Sequence, residues 1–543
     1  MKTIGLLLLL LCGSSIRTYA VQVSYCPTVG KEGQSAEVQT LSARIEQVHS
    51  AFAPSDALLI DAFYAPCGYA LAWTSTGEVS PVALTAIEIL RNVSAWGLNP
   101  ADYPLPAVPS TRSVQSSSLA EFARWEVDLT IATMRLAKDL RCGRVAPHEI
   151  NADIPVPCQG FQPAEFLWRA IQDNNLPKAF DSLEPVAPGY QRTERALRHF
   201  IDLLQEPQIA LPAFSMPLKP GDKSDGLASL RTLLTRTGDL QPGGTTIDDS
   251  QYDETLARAM QSFQARHGLA PDGTLTAETY RQLTTPIANR ITQLSLTLER
   301  WRWIQQAFLQ PPVVVNIPEF RLRAYDSGLH VTLAMKVIVG RAYRRQTPVF
   351  QNQISSVVFR PYWNVPPSIQ RKEIAPALRR DPNYLKKHDY EVVSLPGGGF
   401  RIRQRPGDRN SLGLVKLSLP NVHDVYLHGT PEQSLFARTR RDFSHGCIRV
   451  EDPVALATWV MKDNEGWTRD KIDAAMHGGQ TFSVTLTHPI PVLIVYGTGF
   501  AAEDGLVYFL PDIYAEDGVL LEALKRTSNR RKEDDQIDAV ALR

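Results

Sequence analysis

The sequence predicts a multidomain α+β protein, and three observations carry that reading. The chain has 543 residues, enough for three or four domains. Its first half places apolar residues at helical spacing, whereas from Val313 onward they alternate every second residue. Hydrophobic content of 43% and charged content of 21% are those of ordinary globular protein. Lys plus Arg number 57 and Asp plus Glu number 57, so no global charge draws the chain to nucleic acid or to an anionic membrane surface.

Residues 1–20 read as a removable export signal. Lys2 supplies the positive charge, Ile4 to Leu11 the apolar run, and Thr18-Tyr19-Ala20 the small-residue cleavage site. The run is too short to span a bilayer, and no later stretch of the mature chain is apolar enough to do so. Leu10-Leu11-Cys12 resembles a lipoprotein signal, but the bulky Leu11 disfavours lipid anchoring at Cys12. Cysteine usage fits export. Of six Cys, Cys12 falls in the signal and Cys447 lies far downstream, leaving Cys26, Cys67, Cys142 and Cys158. An even number in an oxidising compartment suggests two disulfides, with three connectivities open. No close Cys/His spacing among them suggests a metal.

Residues 21–211 read as mostly helical, with Asp128 to Leu140 and Glu194 to Leu204 as amphipathic stretches. Residues 216–286 read as a small three-helix unit. Leu227, Leu230, Leu233 and Leu234 share one face, and Leu256, Met260 and Phe263 share another. Gly268 ends the second helix, Pro271-Asp272-Gly273 turns the chain, and Thr276 caps the third. The stretch Gly238 to Ser250 reads as an insertion. A connecting helix, Ile287 to Gln306, carries Trp301 and Trp303, which at a helix end are more often junction packing than sugar platforms. Val313 to Tyr325 and His330 to Val339 then alternate as strands around the turn Asp326-Ser327-Gly328. Gln353 to Phe359, Val422 to Leu427, Phe482 to Leu486 and Val492 to Tyr496 read as further strands, and Pro453 to Met461 as a helix. Residues 361–417 form a long segment between two strands, partly helical over Glu373 to Leu385, and read as a lid. Residues 525–543 are charged and poor in apolar side chains, and read as a loose tail.

The chemistry concentrates in Phe443-Ser444-His445-Gly446-Cys447-Ile448-Arg449-Val450, with His428-Gly429-Thr430-Pro431 upstream. A thiol is nucleophilic as thiolate, and a nearby imidazole can take its proton near neutral pH. Gly446 permits a sharp turn and leaves room for a substrate carbonyl. The amides of Gly446 and Cys447 can then donate to an oxyanion. His428 and His445 are both placed to act as base. Tyr426, two residues before His428, shares its strand face. Arg449 can hold a substrate carboxylate or an internal acid, and Tyr362 and Trp363 can line a cleft or pack a core. A metal set of His423, His428, His445 and Cys447 fits no familiar zinc spacing.

Fifteen residues separate His428 from Ser444. That gap, followed by Ser-His-Gly-Cys, resembles the signature of the L,D-transpeptidase (YkuD-type) family. Many members carry Asn two residues after the Cys; the Arg449 form is similar to the large, multidomain, periplasmic branch. Arg403-Gln404-x-Pro406-Gly407-x-x-Asn410-x-Leu412-Gly413 also fits. Phe263-Gln264-x-x-His267-Gly268-Leu269 with Asp272-Gly273 resembles a peptidoglycan-binding domain. The resemblance implies a helical N-terminal scaffold, a small three-helix peptidoglycan-binding domain over 216–286, and a mostly antiparallel β catalytic domain over 287–524 with a capping insertion over 361–417. It implies Cys447 as nucleophile and His428 as base, oriented by the Gly429 carbonyl. Tyr426, Ser444, His445 and Gly446 would shape the pocket and oxyanion hole, and Arg449, Trp363 and Tyr362 are candidates for binding substrate. The implied activity forms 3→3 peptidoglycan cross-links through a thioester, without metal or cofactor, in a carbapenem-sensitive periplasmic enzyme. Peptidoglycan stem peptides and glycan are the expected partners, with other cell-wall enzymes as further candidates and no nucleic acid. A cell-wall scaffolding protein with a decayed site is the competing class; the complete motif argues against it. A carboxypeptidase or a lipoprotein-anchoring enzyme would use the same chemistry. A papain-like amidase would need its Cys at a helix start.

Overall fold

The computed structural model describes residues 26, 36–48, 52–75, 78–105, 119–156, 158–241, 248–343 and 345–541. The export signal, including Cys12, lies outside the described residues, as does residue 344 beside the site. The fold is multidomain α+β.

The N-terminal region is helical: α1 Ala36–Val48, α2 Pro54–Tyr64, a small hairpin of β1 Thr74–Ser75 and β2 Glu78–Val79, α3 Pro81–Arg91, α4 Leu119–Cys142, α5 Pro163–Gln172, α6 Leu176–Asp181 and α7 Pro188–Gln205. Helix α3 starts where the Ser80 hydroxyl accepts from the Ala83 N–H and Pro81 presets the first turn. The core holds Trp73, Trp125 and Trp168, with the Phe63 ring stacked on Trp168 at 4.5 Å. Disulfides Cys26–Cys67 and Cys142–Cys158 brace it.

The three-helix unit comprises α8 Leu227–Arg236, α9 Glu254–Arg266 and α10 Ala277–Leu283. Leu227, Leu230, Leu234, Leu256, Met260 and Phe263 form its core. Buried Gln264 accepts from the Gly273 N–H at 2.8 Å and donates to the Thr274 carbonyl at 2.9 Å, which pins the Asp272-Gly273 turn. Most of the expected insertion after Gly238 lies outside the described residues. Helix α11, Ile287–Trp303, then leads into the sheet; Trp303 is buried and Trp301 packs on Phe308, so both are junction packing residues.

The C-terminal half is built on one nine-stranded sheet. Its strands are β3 Val313–Asn316, β4 Arg321–Tyr325, β5 Val331–Gly340, β6 Phe350–Phe359, β10 Val415–Ser418, β11 Leu427–His428, β12 Asp442–Ser444, β13 Ile448–Val450 and β14 Phe482–Val495. The intervening segment carries β7 Trp363–Asn364, α12 Pro367–Ile369, a π-turn at Gln370–Ile374, α13 Ala375–Arg380, α14 Tyr384–Lys387, β8 Tyr390–Ser394 and β9 Phe400–Gln404. The sheet order is β12-β5-β13-β11-β10-β6-β14-β3-β4, and β4 also pairs with β5, so the sheet closes on itself around an apolar core. Most pairings are antiparallel; β14–β3, β11–β13 and β12–β5 are parallel. Helices α15 Pro453–Val460 and α16 Arg469–His477, and the hairpin of β15 Gly499–Ala501 and β16 Val507–Phe509, complete the domain.

Several expectations change. Val313 to Tyr325 is two strands, because the chain turns at Ile317–Phe320, where Phe320 takes φ 55°. Phe482 to Val495 is one strand with an irregularity between Thr485 and Ile490, not two strands. Val422 to Leu427 is mostly loop. The segment 361–417 is not all lid: Val415–Ser418 belongs to the main sheet, and β7, β8 and β9 form a separate three-stranded sheet over Val365, Ile369, Ile374 and Ile402. The stretch 525–543 was expected as a loose tail, but its described residues, 525–541, continue helix α17, Glu516–Ala541. Its charged side chains find partners on the scaffold: Arg531 holds Asp139 at 2.7 and 2.8 Å, Asp535 pairs with Arg135 at 2.8 Å, and Asp538 accepts from the Ala53 N–H at 2.6 Å.

Candidate active site

Strand register builds the site. Strand β11 runs parallel to β13, with Leu427 opposite Ile448 and His428 opposite Arg449. Strand β10 runs antiparallel to β11, with Lys416 opposite His428. Side chains alternate across a sheet. Leu417, Leu427 and Ile448 therefore enter the core, fully buried. Lys416, Tyr426, His428, Cys447 and Arg449 share the opposite face and line a cleft of about 1070 Å³ roofed by the insertion. Tyr362 and Trp363 line it as well.

Cys447 is the free thiol among the described residues. Its Sγ donates to the Asp424 carbonyl at 3.5 Å, and the Tyr426 backbone and hydroxyl hydrogen-bond to it. Burial pushes the thiol above its usual range, against the pull of Tyr426 and the Lys416 charge. His428 is 4% exposed. Its Nδ1 donates to the Gly429 carbonyl at 2.6 Å, which places the proton on Nδ1 and the acceptor lone pair on Nε2, and the Leu412 backbone also hydrogen-bonds the ring. Burial, then the Arg449 charge, with a smaller contribution from Lys416, hold the imidazole down to about 3. The resting pair is thus neutral thiol and neutral imidazole.

His445, the rival base, is tied elsewhere: its Nε2 donates to Glu373 Oε1 at 2.7 Å. Glu373 also pairs with Arg345 at 2.9 Å, so one carboxylate of the insertion clips both sides of the cysteine loop. Arg449 pairs with Glu432, an internal acid. Trp363 hydrogen-bonds the Tyr426 hydroxyl, and Tyr362 lies under the Arg403 guanidinium at 4.0 Å.

The cysteine turn is shaped from below. Gly446 takes φ 121°, a region that favours glycine. The Ser444 hydroxyl donates to the Cys447 carbonyl at 2.5 Å and accepts from the Gly446 N–H at 3.2 Å. The Gly446 amide, expected to face an oxyanion, is therefore already engaged. The Cys447 N–H has no acceptor among the described residues and is the amide left for that role. Thr347 donates to the Gly446 carbonyl at 2.7 Å. Behind His428, a Cβ at Gly413 (φ 65°) would meet the Gly429 carbonyl carbon at 2.7 Å. Buried Asn410 holds the base of the insertion, donating to the Pro361 carbonyl at 3.1 Å and to the Arg405 carbonyl at 2.8 Å.

Lys416, Asp424, Glu373 and Glu432 were not singled out from the sequence. A lysine in Val-Lys-Leu-Ser satisfies strand alternation, so its only signal is that a polar residue there faces outward. The metal set does not gather: His423 pairs with Asp153 at 3.2 Å, and His428 and His445 are bonded as described. The group that does gather among the described residues, Asp56, Asp535 and Asp538, lies where α17 meets the scaffold and is spanned by Arg135. Among the described residues no helix is long and apolar enough to cross a membrane.

Comparison with known proteins agrees with the geometry. Residues 311–477 match the family described as L,D-transpeptidase catalytic domain, residues 223–283 "Putative peptidoglycan binding domain", and residues 59–197 a scaffold domain. A "Putative L,D-transpeptidase" of Haemophilus influenzae is 34% identical over 246 residues, 42% of this chain and 49% of that protein, so the match spans about half the relative's length. Among solved structures, an L,D-transpeptidase (residues 123-326) from Xylanimonas cellulosilytica is 15% identical over 52% of this chain and 100% of its own, at a TM-score of 0.17. A fused Zn-dependent amidase/peptidase/peptidoglycan-binding domain-containing protein from Clostridium acetobutylicum is 13% identical over 51% and 100%, at 0.13. At those scores neither structural likeness bears on the fold. The strands that carry Cys447 and His428 thus lie within the stretch that matches the L,D-transpeptidase catalytic domain family, downstream of stretches similar to a scaffold domain and to a putative peptidoglycan binding domain.

Proposed function

We propose that the protein is an exported, periplasmic transpeptidase that joins two peptidoglycan stem peptides by a 3→3 cross-link through a Cys447 thioester. The observation that carries this reading is the unpaired Cys447 thiol on one sheet face with His428, whose Nδ1 proton is held by the Gly429 carbonyl. The thiol passes its proton to His428 as Sγ attacks the carbonyl of the donor's third residue. The oxyanion is met by the Cys447 N–H and the Tyr426 hydroxyl. The C–N bond breaks, terminal D-alanine leaves as the amine with the proton from His428, and the thioester remains. A side-chain amine of a second stem attacks the thioester, gives its proton to His428, and the thiolate leaves.

Burial and the two cations keep His428 uncharged between these events, so the imidazolium is short-lived and returns its proton readily to a leaving amine. The insertion that roofs the cleft supports amine over water as acceptor. No metal or organic cofactor enters these steps. The test is mass spectrometry of muropeptides after incubation with disaccharide tetrapeptides. A 3→3 dimer is expected, absent with Cys447→Ala. Tripeptide alone would mean hydrolysis, and no product from folded wild-type protein would favour a scaffolding role.

A further inference from the structure

The floor of the cleft has an open cationic position. Five basic side chains line it: Arg341, Arg345, Arg409, Lys416 and Arg449. Arg345 holds Glu373, Arg409 holds Asp389 at 2.7 Å, and Arg449 holds Glu432. Arg341 donates its Nε to the Phe443 carbonyl at 3.2 Å, at the cleft margin. Lys416 alone of the three beside the catalytic pair and insertion clip, Arg345, Lys416 and Arg449, has no carboxylate among the described residues. Its Nζ rests over the Tyr426 ring, 3.9 Å from the centroid, and Asp424 acts on it only from beyond ion-pair contact. An ammonium half out of water without an anion is an unfilled receptor.

Its position says which anion fits. Lys416 is the cross-strand partner of His428, and Arg449 is the partner on the other side. The leaving amino acid must place its nitrogen at His428 Nε2 to collect the proton. Its carboxylate carbon lies about 2.5 Å from that nitrogen, across a single Cα. Neighbouring strands are about 4.8 Å apart. A carboxylate attached to the leaving amine therefore lands over one flanking strand or the other. Over β13 it meets a guanidinium already engaged by Glu432. Over β10 it meets the free Lys416 ammonium. We infer that Lys416 receives the free α-carboxylate of the residue expelled from the donor, and that it makes the enzyme select a peptide bond followed by a chain end. The proposal rests on the transpeptidase reading and adds the determinant of donor choice.

A carboxylate on Lys416 has a second effect. It cancels one of the charges that hold His428 neutral, so the imidazole becomes a better proton acceptor when the correct donor is bound. Lys416 is in this sense both a specificity and a positioning residue.

The test compares two donors, the disaccharide tetrapeptide and its C-terminal carboxamide, by the rate of release of D-alanine or D-alaninamide. The readout is the ratio of their kcat/KM values, because any effect of Lys416 on the thiol or on folding alters both donors alike. Wild type should prefer the free acid by roughly 10- to 100-fold, the worth of one hydrogen bond between charged groups. Lys416→Met should bring the ratio near one by losing the acid donor alone. Lys416→Arg should restore most of the preference. An unchanged ratio in Lys416→Met, with both donors slowed, would overturn the inference and leave the transpeptidase reading standing. Wild type that releases neither amine would sink that reading and the inference with it.

Discussion

His428 illustrates how a single side chain is held for its work. Free imidazole titrates near 6.5, whereas burial and the Arg449 charge hold His428 down to about 3. Between those values the unfolded chain takes up a proton that the folded protein refuses. The stability owed to this neutral histidine is complete above about pH 6.5 and is lost as the pH falls toward about 3, by at most about 1.4 kcal/mol per pH unit. Denaturation of wild type and His428→Gln from about pH 7 to about pH 4 should show wild type losing stability relative to the variant across that interval. A constant difference would mean the imidazole is not held neutral. The proposed catalytic pair was legible in the sequence because its members sit in short contiguous motifs. Lys416 was not, because register across three strands brings it in and alternation cannot reveal register, and Glu432 was not, because it sits in the loop after β11. Nor was the engagement of the Gly446 amide, which depends on the rotamer of Ser444.

The insertion acts as an element through Glu373. That carboxylate reaches His445 and Arg345, yet it is 46% exposed, so each contact contributes about 1 kcal/mol at most. Closure is therefore held weakly enough to open for substrate. Glu373→Ala should raise the ratio of hydrolysed tripeptide to cross-linked dimer by up to about tenfold. D-alanine release should change less than about threefold. An unchanged product ratio, read from the same muropeptide spectra, would separate water exclusion from this contact. The presence of a long segment here was evident from the sequence, since a stretch between strands with its own helical pattern and glycine run reads as an added unit. Its end was misplaced because Val415–Ser418 alternates as well as any strand of either sheet. The opposite error arose at Phe482–Val495, read as two strands but in fact one strand that continues past an irregularity holding Pro489.

Across the whole molecule, α17 joins the end of the chain to the first domain. Asp139 is 2% exposed and depends on Arg531 for its neutralisation, with Tyr103 donating to it as well. Arg531→Met should cost about 3–5 kcal/mol by leaving that carboxylate buried without its partner. Adding Asp139→Leu should recover much of the loss, since a buried pair is often no better than apolar packing. Chemical denaturation of both variants decides it, and equal stability of Arg531→Met and wild type would show that the pair contributes nothing. Composition had marked residues 525–543 as solvated, because charge density reads as a tail when its counter-charges lie some 400 residues away: Arg531 and Asp139 are 392 apart. The scaffold, three-helix and β-rich regions were visible from periodicity, but nothing local could announce that bridge.

The same bridge sets an order of events. Arg135 and Asp139 belong to the first domain, while Asp535 and Arg531 lie on a helix about 400 residues further along the chain. Until α17 docks, Asp139 has the Tyr103 hydroxyl without its ion pair to Arg531, and Arg135 has Asp56 without Asp535. Completion of the first domain therefore waits on the docking of α17, and a chain cut short before that helix would expose an unfinished scaffold to whatever removes faulty proteins.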